Sequence, residues 1–568
     1  MLAATAVVTP MFFLGNASGH DFQFHLASWM DAAGQWREGI VYPRWAEWAN
    51  WGFGEPRFVF YPPASWMMGA ALGSVLPWMI APGAFIWLTL IAAGMAMWKL
   101  ADQLLPGPQA AAAAILFAVN PYHLVIVYYR SDFAELLAGA LLPLVLSTAP
   151  RISRGEWRRV PLLAVVFAGI WFSNAPAGVI ATYSLVLLLL VGCILRHSFE
   201  PLVAGGTAVV AGFGLAAIYV VPAGWEQRWV QIAQALSENL HPSQNFLFTH
   251  SNDPEFLLFN WKVSGVALGL MLVTGIAAVF SARKRRQYTD IWWMLVALGA
   301  ASVLLMFRPS LPIWRFFPRL RFVQFPWRWL EPLSVAFAFF VAAATNLSRR
   351  WRSSWLMIGL VVGTIAATGV LMVQDAWWDS DDVPFLEAAI RSGHGYEGTD
   401  EYAPLGCDRY ELPGHSSDSE ESSPAATPRV AKFDSESGKI VSAAGVRIHV
   451  ERWSANQKVF AEQSSRPVTL ALRLLNYPVW EERVDGERTR AYSEPTTAAL
   501  LLPLGPGAHG VEVRFRRTWD QTAGAAISAI SAIGLLLFAR RFRPRSPAAL
   551  ARPRNEIRGS KASPVSGA

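Results

Sequence analysis

Long apolar runs separated by short polar connectors dominate this chain. A helix needs roughly 17–25 mostly apolar residues to cross a bilayer. Runs of that kind lie near 1–16, 83–101, 109–127, 133–149, 160–174, 177–195, 202–222, 258–281, 290–307, 331–347, 354–373 and 522–539. The pattern predicts a polytopic α-helical membrane protein with about twelve spanning helices. The 160–174 run is short, and Ser173-Asn174-Ala175-Pro176 predicts a tight turn after it. The opening run lacks the basic start of a cleavable signal peptide, so it is expected to be a first spanning helix with a missing or very short tail.

Basic residues fall in clusters between the runs: Arg151 to Arg159, Arg196-His197, Arg283 to Arg286, Arg349 to Arg352 and Arg540 to Arg545. The positive-inside rule assigns all of these to the cytoplasm. Segments 17–62, 128–132, 223–257, 308–330 and 374–521 are then extracytoplasmic. The parity closes only if 64–79 does not cross. A juxtamembrane or re-entrant helix is therefore predicted there, started by Pro62-Pro63 and ended near Pro77.

Beyond residue 374 the pattern changes to short alternating runs. They are Lys439 to Glu451, Val459 to Glu462, Pro467 to Leu475, Thr497 to Pro503 and Gly510 to Arg517. Turn residues separate them, notably Asp485-Gly486 and the Pro503 to Gly507 stretch, as in a β-rich unit. His415 to Thr427 is Ser/Pro/Glu-rich and reads as a flexible loop. The predicted organisation is a transmembrane domain over 1–373 and an extracytoplasmic, sandwich-like β domain over 374–521. A final transmembrane helix over 522–540 and a disordered cytoplasmic tail over 541–568 complete it. The β domain carries no nucleophile motif or phosphate loop and is expected to act as a lid or acceptor-binding module.

Composition agrees. The chain is 53% hydrophobic and only 16% charged, against about a quarter charged in soluble domains. Its 26 tryptophans suit the bilayer interface. The net charge of +7 sits in the topology clusters, so no nucleic-acid partner is implied. Cys193 and Cys407 make no disulfide framework.

The connector from Gly19 to Pro63 is too rich in chemistry to be a simple link. It holds His20, Asp21 and His25, then Arg44, Glu55 and Tyr61, among many aromatic rings. Ionisable groups beside hydrocarbon are costly and mark function. If a helix starts here, Asp21 and His25 share a face. Asp21 suits a general base, a proton relay, or a metal site with His20 and His25, for a divalent ion such as Mn, Mg or Zn. A plain helix cap is the structural alternative. Other outer segments add Arg130, Asp132 and Glu135, then His241, then Arg321 and Arg328. Guanidinium forks suit a phosphate, although Arg and Trp also serve as interfacial anchors. A carboxylate base facing phosphate-binding arginines at the lipid surface points to sugar transfer from a lipid phosphate. No Walker or Rossmann pattern signals a nucleotide donor.

These residues also carry a resemblance. Gly19-His20-Asp21-Phe22, Phe24-His25, Tyr42-Pro43-Arg44-Trp45, Gly52 to Pro56 and Phe60 to Pro63 resemble a bacterial membrane-protein family labelled "6-pyruvoyl-tetrahydropterin synthase-related". Asn120-Pro121-Tyr122, Arg130, Glu135, Phe325 to Arg328 and Gly395 to Tyr402 are similar too. No pattern of a pterin enzyme accompanies them. The architecture resembles the GT-C glycosyltransferases, including the YfhO-like proteins with an outer β domain. The resemblance implies a polyprenyl-phosphate sugar donor, an acidic catalytic residue in the first outer loop, here Asp21, and inverting displacement. It also implies the bacterial inner membrane, an extracytoplasmic active site, and a glycan, lipid or protein acceptor. Asp21 stands without an adjacent second acid; Glu55, Asp132 or Glu135 are candidates to supply that charge. A transporter or flippase of lipid-linked glycans, or a non-catalytic envelope-assembly protein, are the alternative readings. The concentration of ionisable groups in outer loops, rather than at mid-membrane, favours the enzyme.

Overall fold

The computed structural model describes residues 1–282, 289–345, 351–378, 381–414, 428–434 and 439–542. The basic cluster at 283–286, Arg349, the loop at 415–427 and the tail from 543 onward lie outside them.

Each predicted run is helical. The helices are Leu2–Leu14, Ala81–Ala101, Gly107–Ala118, Phe133–Ile152, Val160–Ser173, Ala175–Arg196, Glu200–Glu226, Pro254–Ser281, Thr289–Met306, Leu330–Ala344, Trp351–Asp375 and Trp519–Arg541. Among the described residues, eight helical stretches are long and apolar enough to cross a membrane. Leu2–Leu14, Val160–Ser173 and Leu330–Ala344 have 13, 14 and 15 residues, fewer than a perpendicular crossing requires. Arg154 and Arg196 both pair with Asp290, which gathers three of the connectors expected to be cytoplasmic at one end of the bundle.

The helix Pro63–Val75 matches the predicted short element, with proline in its first turn. Its 13 residues span about 20 Å, less than the ~30 Å of a hydrocarbon core. The 17–62 segment contains a helix of its own, Phe22–Arg37. Segment 128–132 is not a loop throughout, because helix continues through Pro121–Val125 and a π-helical turn, Ile126–Arg130.

The β-rich unit is two antiparallel five-stranded sheets. Its strands are β1 (Val430–Asp434), β2 (Lys439–Val441), β3 (Arg447–Ser454), β4 (Gln457–Ser464), β5 (Val468–Leu475), β6 (Trp480–Val484), β7 (Glu487–Thr489), β8 (Tyr492–Ser493), β9 (Ala499–Leu504) and β10 (Gly507–Phe515). One sheet runs β2-β1-β5-β9-β8 and the other β3-β4-β10-β6-β7. The predicted Lys439 to Glu451 run is thus two strands in different sheets. Asp485 and Gly486, both at positive φ, turn β6 into β7. Strand β9 passes to β10 through Gly505-Pro506, which changes sheets and does not form a hairpin.

The first loop belongs to the same core as these sheets. Trp45, Trp51, Phe53 and Phe60 are buried with Leu470, Leu472, Tyr477 and Trp480. Trp45 packs at 5.3 Å from the Trp480 ring and 5.8 Å from the Tyr477 ring. The Phe53 carbonyl accepts from the Leu475 amide at 3.0 Å, and buried Lys458 reaches Glu47 at 3.2 Å.

Asp31, buried in the Phe22–Arg37 helix, ties this loop to the later chain. It accepts from the Trp48 amide at 3.0 Å and from the Tyr396 hydroxyl at 2.9 Å. Burial pushes its pKa up to about 6, against these hydrogen bonds. A raised carboxyl pKa stabilises the fold most below the unfolded value, near pH 4, and that contribution is lost as pH rises through 6. The shift corresponds to roughly 3 kcal/mol. Thermal unfolding is therefore expected at a higher midpoint at pH 5 than at pH 8, and Asp31→Asn should flatten part of that difference. An unaltered pH dependence in the variant would remove Asp31 from this role.

Candidate functional site

The site is assembled where the chain after the first helix is laced to the π-helical turn. The Gly19 amide donates to Ser131 Oγ at 3.0 Å, Ser131 Oγ donates to the Ala17 carbonyl at 2.8 Å, and the Asp21 amide donates to the Arg130 carbonyl at 2.9 Å. A Cβ on Gly19 would collide with the backbone of Tyr129 and Arg130, so only glycine permits the approach. Asn120 starts the preceding helical segment by accepting from the Tyr122 and His123 amides. A single π turn then ends at Ser131, at φ 54°, a local irregularity of the kind often found at functional positions.

That lacing sets Asp21 against Arg130, and the two form an ion pair. Arg130 also lies 3.6 Å from Asp132 and over the rings of Phe325 and Trp327, at 5.0 and 5.1 Å. Its Nη1 is buried without a hydrogen-bond partner. Asp132 is the hub. It accepts from Arg328 Nη2 at 3.1 Å, faces His25 Nε2 at 3.6 Å and caps the Phe133–Ile152 helix through the Glu135 amide. Burial would raise its pKa, but facing His25 and the two guanidiniums outweigh it and hold the carboxyl well below the usual range. His25 Nδ1 lies 2.5 Å from the Tyr61 hydroxyl. Glu135 bonds Arg328 Nε at 2.8 Å and the Tyr122 hydroxyl.

These groups lie in or directly behind one cleft of about 1520 Å³, counting its open mouth. His20, Asp21, His25, Tyr61, Arg130, Asp132 and Arg328 line it, and Glu135 stands behind Arg328. Aromatic walls come from Phe24, Phe60, Phe259, Phe325 and Trp327. No residue of β1 to β10 lines the cleft.

Four predicted site residues are placed elsewhere. Glu55 is fully buried and bonded to Arg57 at 2.7 Å, Asn50 and Thr399, a supporting position and not a lining one. Arg44 sits over the Tyr42 ring at 4.5 Å, among the charges of Glu226, Arg517 and Asp520, and does not line the cleft. His241 is exposed and caps a short turn at Ser243, while Arg321 is exposed beside Phe322. Arg328 is in the cleft wall, but each guanidinium nitrogen is engaged, with Glu135, Asp132, Gln324 and the Val323 carbonyl. It anchors carboxylates and leaves no fork facing a substrate. Asp21 is at the cap position of its helix yet makes no side-chain capping bond, because its carboxylate goes to Arg130. His20 packs on Tyr129 and Phe259, and His25 turns to Tyr61, so the three side chains do not converge on one point. Among the described residues, no group of three or more His, Cys, Asp and Glu side chains is placed to hold a metal ion.

Sequence reasoning missed Glu401. It lines the cleft between Thr399 and Tyr402, on a segment fixed by Thr399 bonding Glu55 and by Tyr402 stacking on Phe60 at 5.6 Å. Burial pushes its carboxyl up to about 7. Its signal was the Gly395 to Tyr402 motif, where it stands beside Asp400 and near Glu397 with nothing to distinguish it. An adjoining cleft of about 900 Å³ shares His20 and carries Gln23, Glu255, Trp377 and Asp382.

The profile of a family described as "6-pyruvoyl-tetrahydropterin synthase related domain; membrane protein" matches residues 58–374. Asp21 precedes that stretch and Glu401 follows it. No curated protein matches the chain. Among solved structures it is similar to the arabinofuranosyltransferase AftD from Mycobacteria, with a TM-score of 0.42 and 16% identity. The alignment covers 67% of this chain and 27% of that one, so the chain spans about a quarter of the length of AftD. Matched over more than half its length, the chain belongs to the 6-pyruvoyl-tetrahydropterin synthase related family of membrane proteins.

Proposed function

We propose that this protein is a membrane glycosyltransferase, moving a sugar from a polyprenyl-phosphate donor to an extracytoplasmic acceptor. The observation that carries the reading is Asp21 and Arg130 in one aromatic-walled cleft, with a buried guanidinium nitrogen of Arg130 uncommitted. The acceptor hydroxyl attacks the anomeric carbon, its proton passes to the Asp21 carboxylate, and the bond from that carbon to the phosphate oxygen breaks. The phosphate leaves with the electron pair and meets the Arg130 charge, a stabilisation that grows as the bond breaks. Phe256 and Phe259, at the start of the Pro254–Ser281 span, offer an apolar approach for the lipid carrier. The adjoining cleft combines carboxylates, an amide and the exposed Trp377 ring, which suits a hydroxyl-rich acceptor. The Lys/Arg clusters of the opposite connectors support an extracytoplasmic site in a bacterial inner membrane. Transfer of labelled sugar in proteoliposomes, wild type against Asp21→Asn, tests the reading.

Glu401 is the second carboxyl of the cleft. With a pKa near 7, it loses its charged form as pH falls through neutrality. If the carboxylate orients the acceptor, the rate rises from pH 6 to pH 8, and Glu401→Gln removes that rise while lowering the rate at pH 8 by about tenfold or more. A variant that keeps the wild-type pH profile excludes Glu401.

A further inference from the structure

A separate cleft of about 640 Å³, counting its open mouth, lies where the Glu200–Glu226 and Trp519–Arg541 helices meet the β sheets. Two of its lining groups, Asp520 and Thr518, are buried oxygen acceptors. Asp520 is fully buried and lies within hydrogen-bond reach of the buried Glu226 carboxyl, with no cation paired to it among the described residues; the buried Thr518 Oγ1 has no hydrogen-bond partner. An unsatisfied buried acceptor is costly, and more so when charged. Arg44 feels the charge of Asp520 but forms no salt bridge with it. The same cleft carries two exposed guanidiniums, Arg228 and Arg516, with no ion pair among the described residues. Arg228 lies over the Trp225 ring at 3.2 Å, and Trp225 meets Trp519 edge-on at 4.5 Å. Cations at the rim and a buried anion within complement a zwitterion whose ammonium enters first.

We propose that this cleft binds the phosphoethanolamine headgroup of a bilayer lipid. The ammonium donates to Asp520 and Thr518, and the phosphate is met by Arg228 and Arg516. The location at the ends of two membrane-length helices favours a lipid over a soluble ester, since the acyl chains continue into the bilayer beside Trp225 and Trp519. A phosphocholine headgroup has the same charges, but its three methyl groups leave no N–H for the buried acceptors. Discrimination between the two headgroups is thus the signature of the site. It is independent of the catalytic reading, because none of these residues lines the Asp21 cleft.

The test is titration of the full chain in non-ionic detergent with short-chain phosphatidylethanolamine, phosphatidylcholine, phosphatidylglycerol and soluble phosphoethanolamine. Binding is read by native mass spectrometry and by the midpoint of thermal unfolding. Phosphatidylethanolamine should bind at least about tenfold more tightly than phosphatidylcholine. Asp520→Asn and Thr518→Val should each reduce that preference, and the Arg228→Gln, Arg516→Gln double variant should weaken both lipids alike. If Asp520→Asn does not fold, Thr518→Val and the arginine variant carry the test. Equal binding of the two lipids, or an unchanged preference in Thr518→Val, overturns the site. Phosphatidylglycerol binding as tightly as phosphatidylethanolamine reduces it to an anion contact and also overturns it. Soluble phosphoethanolamine binding as tightly as the lipid overturns the bilayer as its source.

Discussion

Asp21→Asn is expected to lower sugar transfer by about 10²-fold or more while leaving the protein folded. The substitution is isosteric and keeps the lacing, which runs through the Asp21 amide and not its side chain. Asp21 is the half-exposed carboxylate at the cleft and is not needed as a helix cap. A structural role would therefore show in thermal unfolding, whereas a base shows in the rate. The variant removes the proton acceptor and also frees Arg130, so donor binding should hold or tighten as kcat falls. Transfer at the wild-type rate would eliminate Asp21 as the base. Loss of rate only in proportion to lost folded protein would make it a structural residue.

The largest effect on stability is expected from Arg328→Met. Methionine keeps the unbranched apolar stem of the side chain but leaves Asp132 and Glu135 buried with one cation fewer between them. Removing one partner of a buried ion network costs about 3–5 kcal/mol, because the remaining charge is stranded. Arg328→Lys should rescue little, since a single ammonium cannot span two carboxylates, the Val323 carbonyl and Gln324. Adding Glu135→Gln to Arg328→Met should recover part of the loss. An unfolding midpoint equal to wild type in Arg328→Met would mean that the network is hydrated and does not hold the cleft together.

These two residues also illustrate what the chain discloses before it folds. The apolar runs gave helix positions within a few residues, because length and hydropathy are properties of a segment by itself. The short Pro63–Val75 helix was legible through the two prolines and the parity of the basic clusters. The crowding of Asp21, Arg130 and Asp132 was legible as a density of ionisable groups at predicted helix ends. Which arginine is free is not a local property. Arg328 has the look of a substrate fork, but the two carboxylates that occupy it, Asp132 and Glu135, stand 196 and 193 positions earlier in the chain. Arg44, His241 and Arg321 share the composition of the site residues, but the fold turns them elsewhere. Glu401 was hidden for the opposite reason: it lies among acids, and only its place in the cleft wall sets it apart. Strands β6 and β7 were missed because their charged residues, half-buried Glu481, Glu482 and Arg483 and exposed Glu487, mask the alternation that marked the others.

The shared core of the first loop and the sheets bears on how the protein is made. Glu47 and its buried partner Lys458 are 411 residues apart in the chain. At about 5–20 residues per second, roughly twenty to eighty seconds of synthesis separate them. Trp45, Trp51 and Phe53 leave the ribosome early, and their packing partners come last. During that interval the loop that holds Asp21 presents bare indole and phenyl rings with nothing to bury them. A ribosome that stalls before residue 468 therefore delivers a protein that lacks the Trp519–Arg541 helix and whose Asp21 cleft is unsupported, a natural substrate for chaperones and proteases.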